Sequence, residues 1–267
     1  MTTKMLFERL WTDYVTITPS AKNIKAFFES SGNEIHNDHV AFRTFDDPRV
    51  NIDVLAGLLL DLGYVYKSEY YFTEKKLYAK HFEHSTDEDA PLIFISQLIA
   101  KEFSLATQTL IKEIVDSINF NTLDIKKILF SGRLWNLPSY ETYSSLLEES
   151  EYAAWVYVNG FCANHFTVDV NKLDTFNSLE EVNYFLKIND FQLNMSGGEI
   201  KGTKEQFLLQ SSTLADKIEV QFQEGTKLIT SCYYEFAYRF PKNGRLFKGF
   251  IASSADKIFE STDMFVG

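Results

Sequence analysis

Positive charge is in short supply in this chain of 267 residues, where 26 Lys and Arg face 37 Asp and Glu for a formal net charge of −11. Nucleic acid and anionic membranes are bound through basic patches, so neither is expected as a partner. An anionic substrate would need a few local arginines working against the overall field. Cysteine is scarcer still: Cys162 and Cys232 are too few for a disulfide framework or a cysteine-rich metal site. As two small hydrophobes they suit a reducing, cytoplasmic setting. No apolar run approaches the ~20 residues of a membrane span, and residues 1–10 carry charges and lack the apolar core of a secretory signal. Also absent are a CxxC pair, an HExxH helix, a GxSxG elbow and a glycine-rich phosphate loop. What is abundant is aromatic and apolar, with 24 Phe and 14 Tyr in a chain that is 45% hydrophobic. That composition belongs to a packed globular protein, and a single domain over 1–267 is expected.

The clearest pattern is Asn-Asp-His-Val-Ala-Phe-Arg-Thr-Phe at 37–45, where apolar and polar residues alternate as on a half-buried strand. Side chains two apart share a face, so His39, Ala41 and Arg43 point one way and Val40 and Phe42 the other. His39 and Arg43 are then about 13 Å apart along the backbone. That leaves room for a small anion between a metal on the histidine and the guanidinium, although a solvated edge strand explains the same pattern. Ahead of it, 6–14 and 20–30 read as short amphipathic helices. Behind it come the turn Asp46-Asp47-Pro48, an apolar helix over 51–62 stopped by Gly63, and strands at 64–72, 77–83 and 92–97. Helices over 102–117, 121–129 and 139–150 form an insertion spanning about 102–150.

The first pattern then returns. Asn-His-Phe-Thr-Val-Asp-Val at 164–170 is a second alternating strand, with His165, Thr167 and Asp169 on one face. A helix over 178–187 follows, with Ser178 as N-cap and a stop at Asn189-Asp190, and then strands at 206–210, 217–223 and 227–238. His39 to Gly63 is 24 positions (63 − 39), and so is His165 to Asn189 (189 − 165). The chain reads as two copies of one strand–helix–strands unit, about 37–98 and 154–240, with a C-terminal segment over 241–267.

Two related units that each begin with a strand histidine make a metal cleft plausible, since neutral imidazole is the commonest metal ligand. A carboxylate is wanted beside them, and Glu235 supplies one amid Tyr233, Tyr234, Phe236 and Tyr238, where an unpaired charge is costly. Either a cation or Arg239, four residues on along the same face, would relieve that cost, and the pattern leaves both open. His81 and His84, next to Asp87-Glu88-Asp89, are expected on a solvated face, and His36 in a loop.

Taken in order, His39-Val40-Ala41-Phe42-Arg43, Asn164-His165-Phe166, Tyr234-Glu235-Phe236 and the Ser-Ser-Ala-Asp-Lys-Ile-Phe-Glu-Ser-Thr tail at 253–262 resemble one family. It is the 2-oxoadipate dioxygenase/decarboxylase family, also called 2-hydroxyglutarate synthase, and this chain resembles its shorter members. The resemblance implies an α+β fold of the vicinal-oxygen-chelate type, with two β-α-β-β-β units forming a curved mixed sheet or open barrel around a metal cleft. It implies iron(II) held by His39, His165 and Glu235, with Arg43 gripping the substrate as the catalytic arginine. Ser254 (or Ser253) would line the pocket; apart from the resemblance, Arg239, which echoes the His39–Arg43 spacing, is expected as a further substrate contact. Two imidazoles and a carboxylate leave three iron positions for a chelating 2-oxo acid and dioxygen. The implied reaction is 2-oxoadipate plus dioxygen to 2-hydroxyglutarate plus CO2. Two alternatives remain: a metal-dependent isomerase or lyase on the same fold, which would consume no oxygen, and a non-catalytic small-molecule-binding protein, which need hold no iron. The oligomeric state is open.

Overall fold

The computed structural model describes residues 1–251. Helices α1 (Thr3–Ile17) and α2 (Pro19–Ser30) lead into strand β1 (Asn37–Phe45), whose bounds are those of the alternating stretch. Helix α3 (Ile52–Asp61) and strands β2 (Tyr64–Phe72), β3 (Leu77–His84) and β4 (Leu92–Leu98) follow. Helices α4 (Leu105–Asp116), α5 (Tyr140–Glu149) and α6 (Glu151–Asn159) precede β5 (Ala163–Asp169) and α7 (Leu179–Ile188). The last strands are β6 (Lys201–Thr203), β7 (Leu208–Ser212), β8 (Lys217–Phe222), β9 (Gly225–Thr230), β10 (Glu235–Arg239), β11 (Pro241–Lys242) and β12 (Arg245–Leu246). None of the helices among the described residues is long and apolar enough to cross a membrane.

The chain divides into two compact units that alternate along the sequence, the first comprising Met1–Tyr14, Ala41–Asn164 and Ile218–Ile229. Its strands lie in the order β2-β3-β4-β1, with β2-β3 and β3-β4 antiparallel. Helix α3 has an Asn51 side chain that accepts the Val54 N–H at 3.1 Å, and Gly63, at φ +96°, lets the chain turn off its end. Its buried residues Ile52, Leu55, Ala56 and Leu59 fall at i, i+3, i+4 and i+7, so one stripe goes into the core. Full burial of each leucine or isoleucine contributes about 1.5–3 kcal/mol.

The second unit takes in Val15–Val40, His165–Lys217 and the chain from Thr230. Its strand order is β5-β10-β7-β6, with β5 and β10 parallel and the remaining pairs antiparallel, so the sheet is mixed. Element for element, β5-α7-β6-β7-β10 repeats β1-α3-β2-β3-β4, in the same spatial order. Helix α7 starts with the Ser178 side chain accepting the Glu181 N–H at 3.2 Å, and Glu180 and Glu181 sit at its positive end. Its Phe185 packs ring to ring with Phe28 and Phe176, and Phe28 in turn with Phe176 and Phe236, with centroids 5.1–6.0 Å apart.

Several expectations are corrected. The left-handed residue closing α7 is Asp190, at φ 65°, and not Asn189 at φ −103°, so the match to Gly63 slips by one position. The strand expected over 227–238 is broken into β9 and β10, because Ser231 N–H turns aside to the Asp216 carbonyl and Cys232 carbonyl accepts the Asp216 N–H. Hairpin β8-β9 thus stands as its own two-stranded sheet. The helix expected over 121–129 is a short 3-10 stretch, Ile125–Phe130. Asn119 captures the N–H groups of Asn121 and Thr122 and offers the backbone a non-helical alternative. Helix α6 was not anticipated: Tyr152 through Val158 are all buried, so no polar face marks its period.

Gly160 ends α6 at φ +69°, where a Cβ would meet the backbone of Gly132 and Arg133. The pair of hydrogen bonds between Gly132 and Phe161 (2.9 and 3.0 Å) holds those backbones together, so neither can withdraw cheaply. Gly160→Ala is expected to destabilise the fold by on the order of 3 kcal/mol or more. A urea titration checks this; a midpoint equal to wild type would show that the bridge yields.

Candidate metal centre

Strand register assembles the candidate site in the second unit. Parallel pairing puts Glu235 of β10 opposite Thr167 of β5. His165, two residues earlier, therefore shares the face on which Glu235 stands. The Asp169 N–H donates to the His36 carbonyl at 2.8 Å, which fixes the entry into β1 beside the end of β5. His165 Nε2 lies 3.2 Å from Glu235 Oε2, and His39 Nε2 lies 3.9 Å from Glu235 Oε1. One ligand atom from each of His39, His165 and Glu235 falls within 4.8 Å of the others. The imidazole centroids are 5.6 Å apart and nearly perpendicular. All three residues are at most 4% exposed.

The surroundings fix how these donors are presented. His39 Nδ1 is 2.7 Å from Asp38 Oδ1, and Thr167 Oγ1 is 3.1 Å from His39 Nε2. An ionised carboxylate only accepts, so Nδ1 carries the proton and Nε2 keeps its lone pair for the threonine hydroxyl or an ion. Gln210 Nε2 donates to Glu235 Oε1 at 2.5 Å, and Tyr233 stacks on His165 at 4.8 Å. Burial pushes the Glu235 carboxyl up. The His165 hydrogen bond, the neighbouring imidazoles and Gln210 outweigh that and hold it below the usual carboxylate range. Asp38 is buried too, yet the charge and hydrogen bonds of Arg239, with those of His39, keep it far lower than an ordinary aspartate.

Donor chemistry and spacing fit a divalent transition metal. Two imidazoles and one carboxylate form the facial set of non-haem iron(II) sites. Donors bound at about 2.1 Å and at right angles stand ~3 Å apart, close to the 3.2 Å pair and somewhat tighter than the 3.9 Å one.

The remaining candidates have partners of their own. Arg43, in the first unit, is buried, with Nη1 2.8 Å from Glu151 Oε1 and its guanidinium over the rings of Tyr152 (5.0 Å) and Trp155 (5.3 Å). All three partners lie on α6. Arg239 pairs with Asp38 and not with Glu235: Nε donates to Oδ2 at 2.6 Å and Nη2 to Oδ1 at 2.8 Å, while Nη1 reaches the carbonyls of Phe247 and Gly249. His81 is a correction, being 2% exposed, with Nδ1 2.8 Å from the Tyr70 hydroxyl and Nε2 3.4 Å from Glu83. His84 stays part-exposed at the acidic turn, accepting the Asp87 N–H at 2.9 Å. Ser253 and Ser254 lie outside the described residues. Asp38, Gln210 and Thr167 were not among the expected site residues. Thr167 shares the His165 face, which is the one signal the sequence offered.

At the far end of β5, burial and then the negative charge of Asp38 push the Asp169 carboxyl up to about 6 from an ordinary 3.8. Between those values the folded chain keeps a proton that the unfolded chain has lost. Stability therefore falls as pH rises through that window and stays lower above it. Asp169→Asn removes the penalty and keeps the acceptor that the Asn171 N–H uses. The metal-free variant is expected to be about 1–2 kcal/mol more stable than wild type at pH 8, after discounting for partial exposure, with little gain at pH 4. Denaturant melts at the two pH values measure this, and an equal gain at both would assign it to something other than titration.

Comparison with known proteins adds a family match, one sequence relative and three solved structures. Residues 122–245 match the family profile of 2-oxoadipate dioxygenase/decarboxylase. The 2-oxoadipate dioxygenase/decarboxylase of Oryza sativa subsp. japonica, a chloroplastic/amyloplastic protein, is 36% identical over 274 residues, covering 93% of this chain and 75% of the relative. The crystal structure of hydroxyglutarate synthase from Oryza sativa in complex with 2-oxoadipate superposes with a TM-score of 0.90 at 33% identity, over 98% of this chain and 92% of that one. A Shewanella frigidimarina NCIMB 400 protein with a provisional hydrolase name has a TM-score of 0.88 and 47% identity over 94% of this chain and 98% of its own. A Ralstonia eutropha JMP134 structure provisionally placed in the glyoxalase superfamily, at 18% identity and a TM-score of 0.72 over 90% of this chain and 83% of its own, shares the fold.

Proposed function

The chain belongs to the 2-oxoadipate dioxygenase/decarboxylase family, and from that premise we propose that it uses iron(II) to convert 2-oxoadipate and dioxygen into 2-hydroxyglutarate and CO2. The six-carbon acid loses its 1-carboxylate as CO2, and both atoms of dioxygen end in the five-carbon hydroxy acid, one in its new carboxylate and one in its hydroxyl. The substrate is its own two-electron reductant, so no separate 2-oxo acid is consumed. The observation that supports this most directly is the convergence of His39 Nε2, His165 Nε2 and the Glu235 carboxylate in a buried setting.

His39, His165 and Glu235 would hold the metal, which when bound supplies the activation of dioxygen that organic side chains cannot. Glu235 offsets one of its two positive charges, and Gln210 fixes the rotation of that carboxylate through Oε1. Asp38 keeps the His39 proton on Nδ1 and off the ligand atom. The burial of all three ligands excludes bulk water. Arg43, four residues past His39 along β1, is assigned the distal carboxylate of a dicarboxylic substrate, which a planar guanidinium grips with two parallel bonds. Cys162, part-exposed, and Cys232, buried, form no disulfide with each other, which suits a reducing compartment such as the cytoplasm.

The test is anaerobic loading with iron(II) followed by oxygen uptake with 2-oxo dicarboxylic acids of graded length. With 2-oxoadipate, equimolar oxygen consumption, CO2 release and 2-hydroxyglutarate formation are expected. Turnover of a substrate without oxygen uptake would replace this reading with Lewis-acid isomerase or lyase chemistry. No uptake and no turnover with any acid of the series would end the dioxygenase assignment.

A further inference from the structure

Arg239 looks at first like a second substrate arginine, yet its side chain is spoken for. It is 5% exposed, and its Nε and Nη2 grip the two oxygens of Asp38 in a fork at 2.6 and 2.8 Å. Its Nη1 donates to the carbonyls of Phe247 (2.9 Å) and Gly249 (2.8 Å), and the Phe250 ring lies 5.4 Å beneath the guanidinium. The same ring meets His39 edge-on at 4.9 Å. Asp38 thus receives three N–H donors: two from Arg239, and the third from His39 Nδ1 at 2.7 Å. A carboxylate held by a two-point fork cannot rotate, and the direction of its free lone pair sets the tilt of the imidazole that donates to it.

Resting on the reading of His39 as a metal ligand, we infer that Arg239 is a positioning residue. Acting through Asp38, it holds His39 in the tautomer and orientation that offer Nε2 to the metal, and the carbonyls of Phe247 and Gly249 anchor the guanidinium in turn. The substrate is not its ligand. Lys cannot reproduce this: an ammonium is a point donor without the fork, so Asp38 regains rotation about its side chain and the imidazole loses its fixed orientation.

The test titrates the metal-free protein with Co(II), whose visible absorption reports ligand geometry without any turnover, and follows with iron(II) kinetics at saturating metal. Arg239→Lys and Asp38→Asn are each expected to raise the Co(II) Kd about 10- to 100-fold, the range found for losing an outer partner of a ligating histidine, and to alter the Co(II) spectrum. KM for the 2-oxo acid should stay at the wild-type value. Asp38→Asn leaves the buried Arg239 charge without its carboxylate, so the double variant Asp38→Asn/Arg239→Gln serves as the folding control. With no lone charge left inside it should melt close to wild type, and it should still bind Co(II) weakly. Wild-type Co(II) affinity in the double variant, or an Arg239→Lys chain with raised KM and unaltered Co(II) binding, overturns the inference. A wild-type chain that takes up no Co(II) overturns the metal centre itself, and so the two failures are told apart.

Discussion

A chain carrying Glu235→Gln is expected to fold, to retain both histidines in place and to lose its metal. The substitution changes almost no volume, and the polar neighbours dictate how the new amide sits. Gln210 Nε2 already donates at the Oε1 position, so the amide oxygen must go there and the NH2 must face His165 Nε2, 3.2 Å from the other carboxylate oxygen. That NH2 donates into the lone pair a metal would use. The variant therefore removes one ligand and caps a second. Losing an outer partner of a ligand already costs about 10- to 100-fold in metal affinity, so the loss here should be on the order of a thousandfold or more, with turnover falling alongside it. The metal-free variant should melt no lower than wild type, because a buried charge has been replaced by a satisfied neutral pair. Metal content after iron(II) loading and a thermal melt of the metal-free protein measure the two effects. Stoichiometric iron in Glu235→Gln would sink the ligand set.

What could be read from the residues was whatever a local pattern dictates. Strand β1 was delimited to the residue because its alternation ends at the Asp46-Asp47-Pro48 turn. Helix α3 was marked by its stop at Gly63, and α7 by a cap and a stop, Ser178 with Asn189-Asp190. The repeat of the β-α-β-β-β unit followed from those marks. The histidines were legible because each begins such a strand, and Glu235 because a carboxylate among aromatic rings calls for a partner.

The rest depends on register between strands far apart in sequence. Which of β7, β8 and β9 would flank β10 could not be seen from composition, so Gln210 had no reason to stand out. Asp38 precedes His39 in a strand, and alternation puts neighbours on opposite faces. Its contact with the ring belongs to the strand's first residues, where Arg239 draws the carboxylate round. Even β1 differs from the half-buried strand its pattern suggested: eight of its nine residues, Asp38 through Phe45, are buried, so both faces are covered. Helix α6 escaped notice for the same reason, since a segment buried on all sides carries no amphipathic signature.

That unseen helix bears directly on Arg43. Glu151 opens α6, just past the Ser150 cap, and its Oε1 accepts from Nη1 of the guanidinium, while Tyr152 and Trp155 lie under the cation. Glu151 neutralises a charge that would otherwise be costly to bury. A lysine at 43 would preserve that ion pair, so Arg43→Lys should fold and should load iron(II) as wild type does. It cannot at the same time offer two parallel N–H groups to a substrate carboxylate. Charge-assisted hydrogen bonds contribute about 1.5–3 kcal/mol each, so losing one is expected to lower kcat/KM for 2-oxoadipate by about 10- to 150-fold. A 2-oxo acid of equal length without the distal carboxylate supplies the control, because the two chains should process it at the same poor rate. If Arg43→Lys turned over 2-oxoadipate like wild type while melting lower, Arg43 would be a structural partner of Glu151 and nothing more. If both substrates slowed equally, the arginine would act on the metal-bound end of the substrate and not on its far carboxylate.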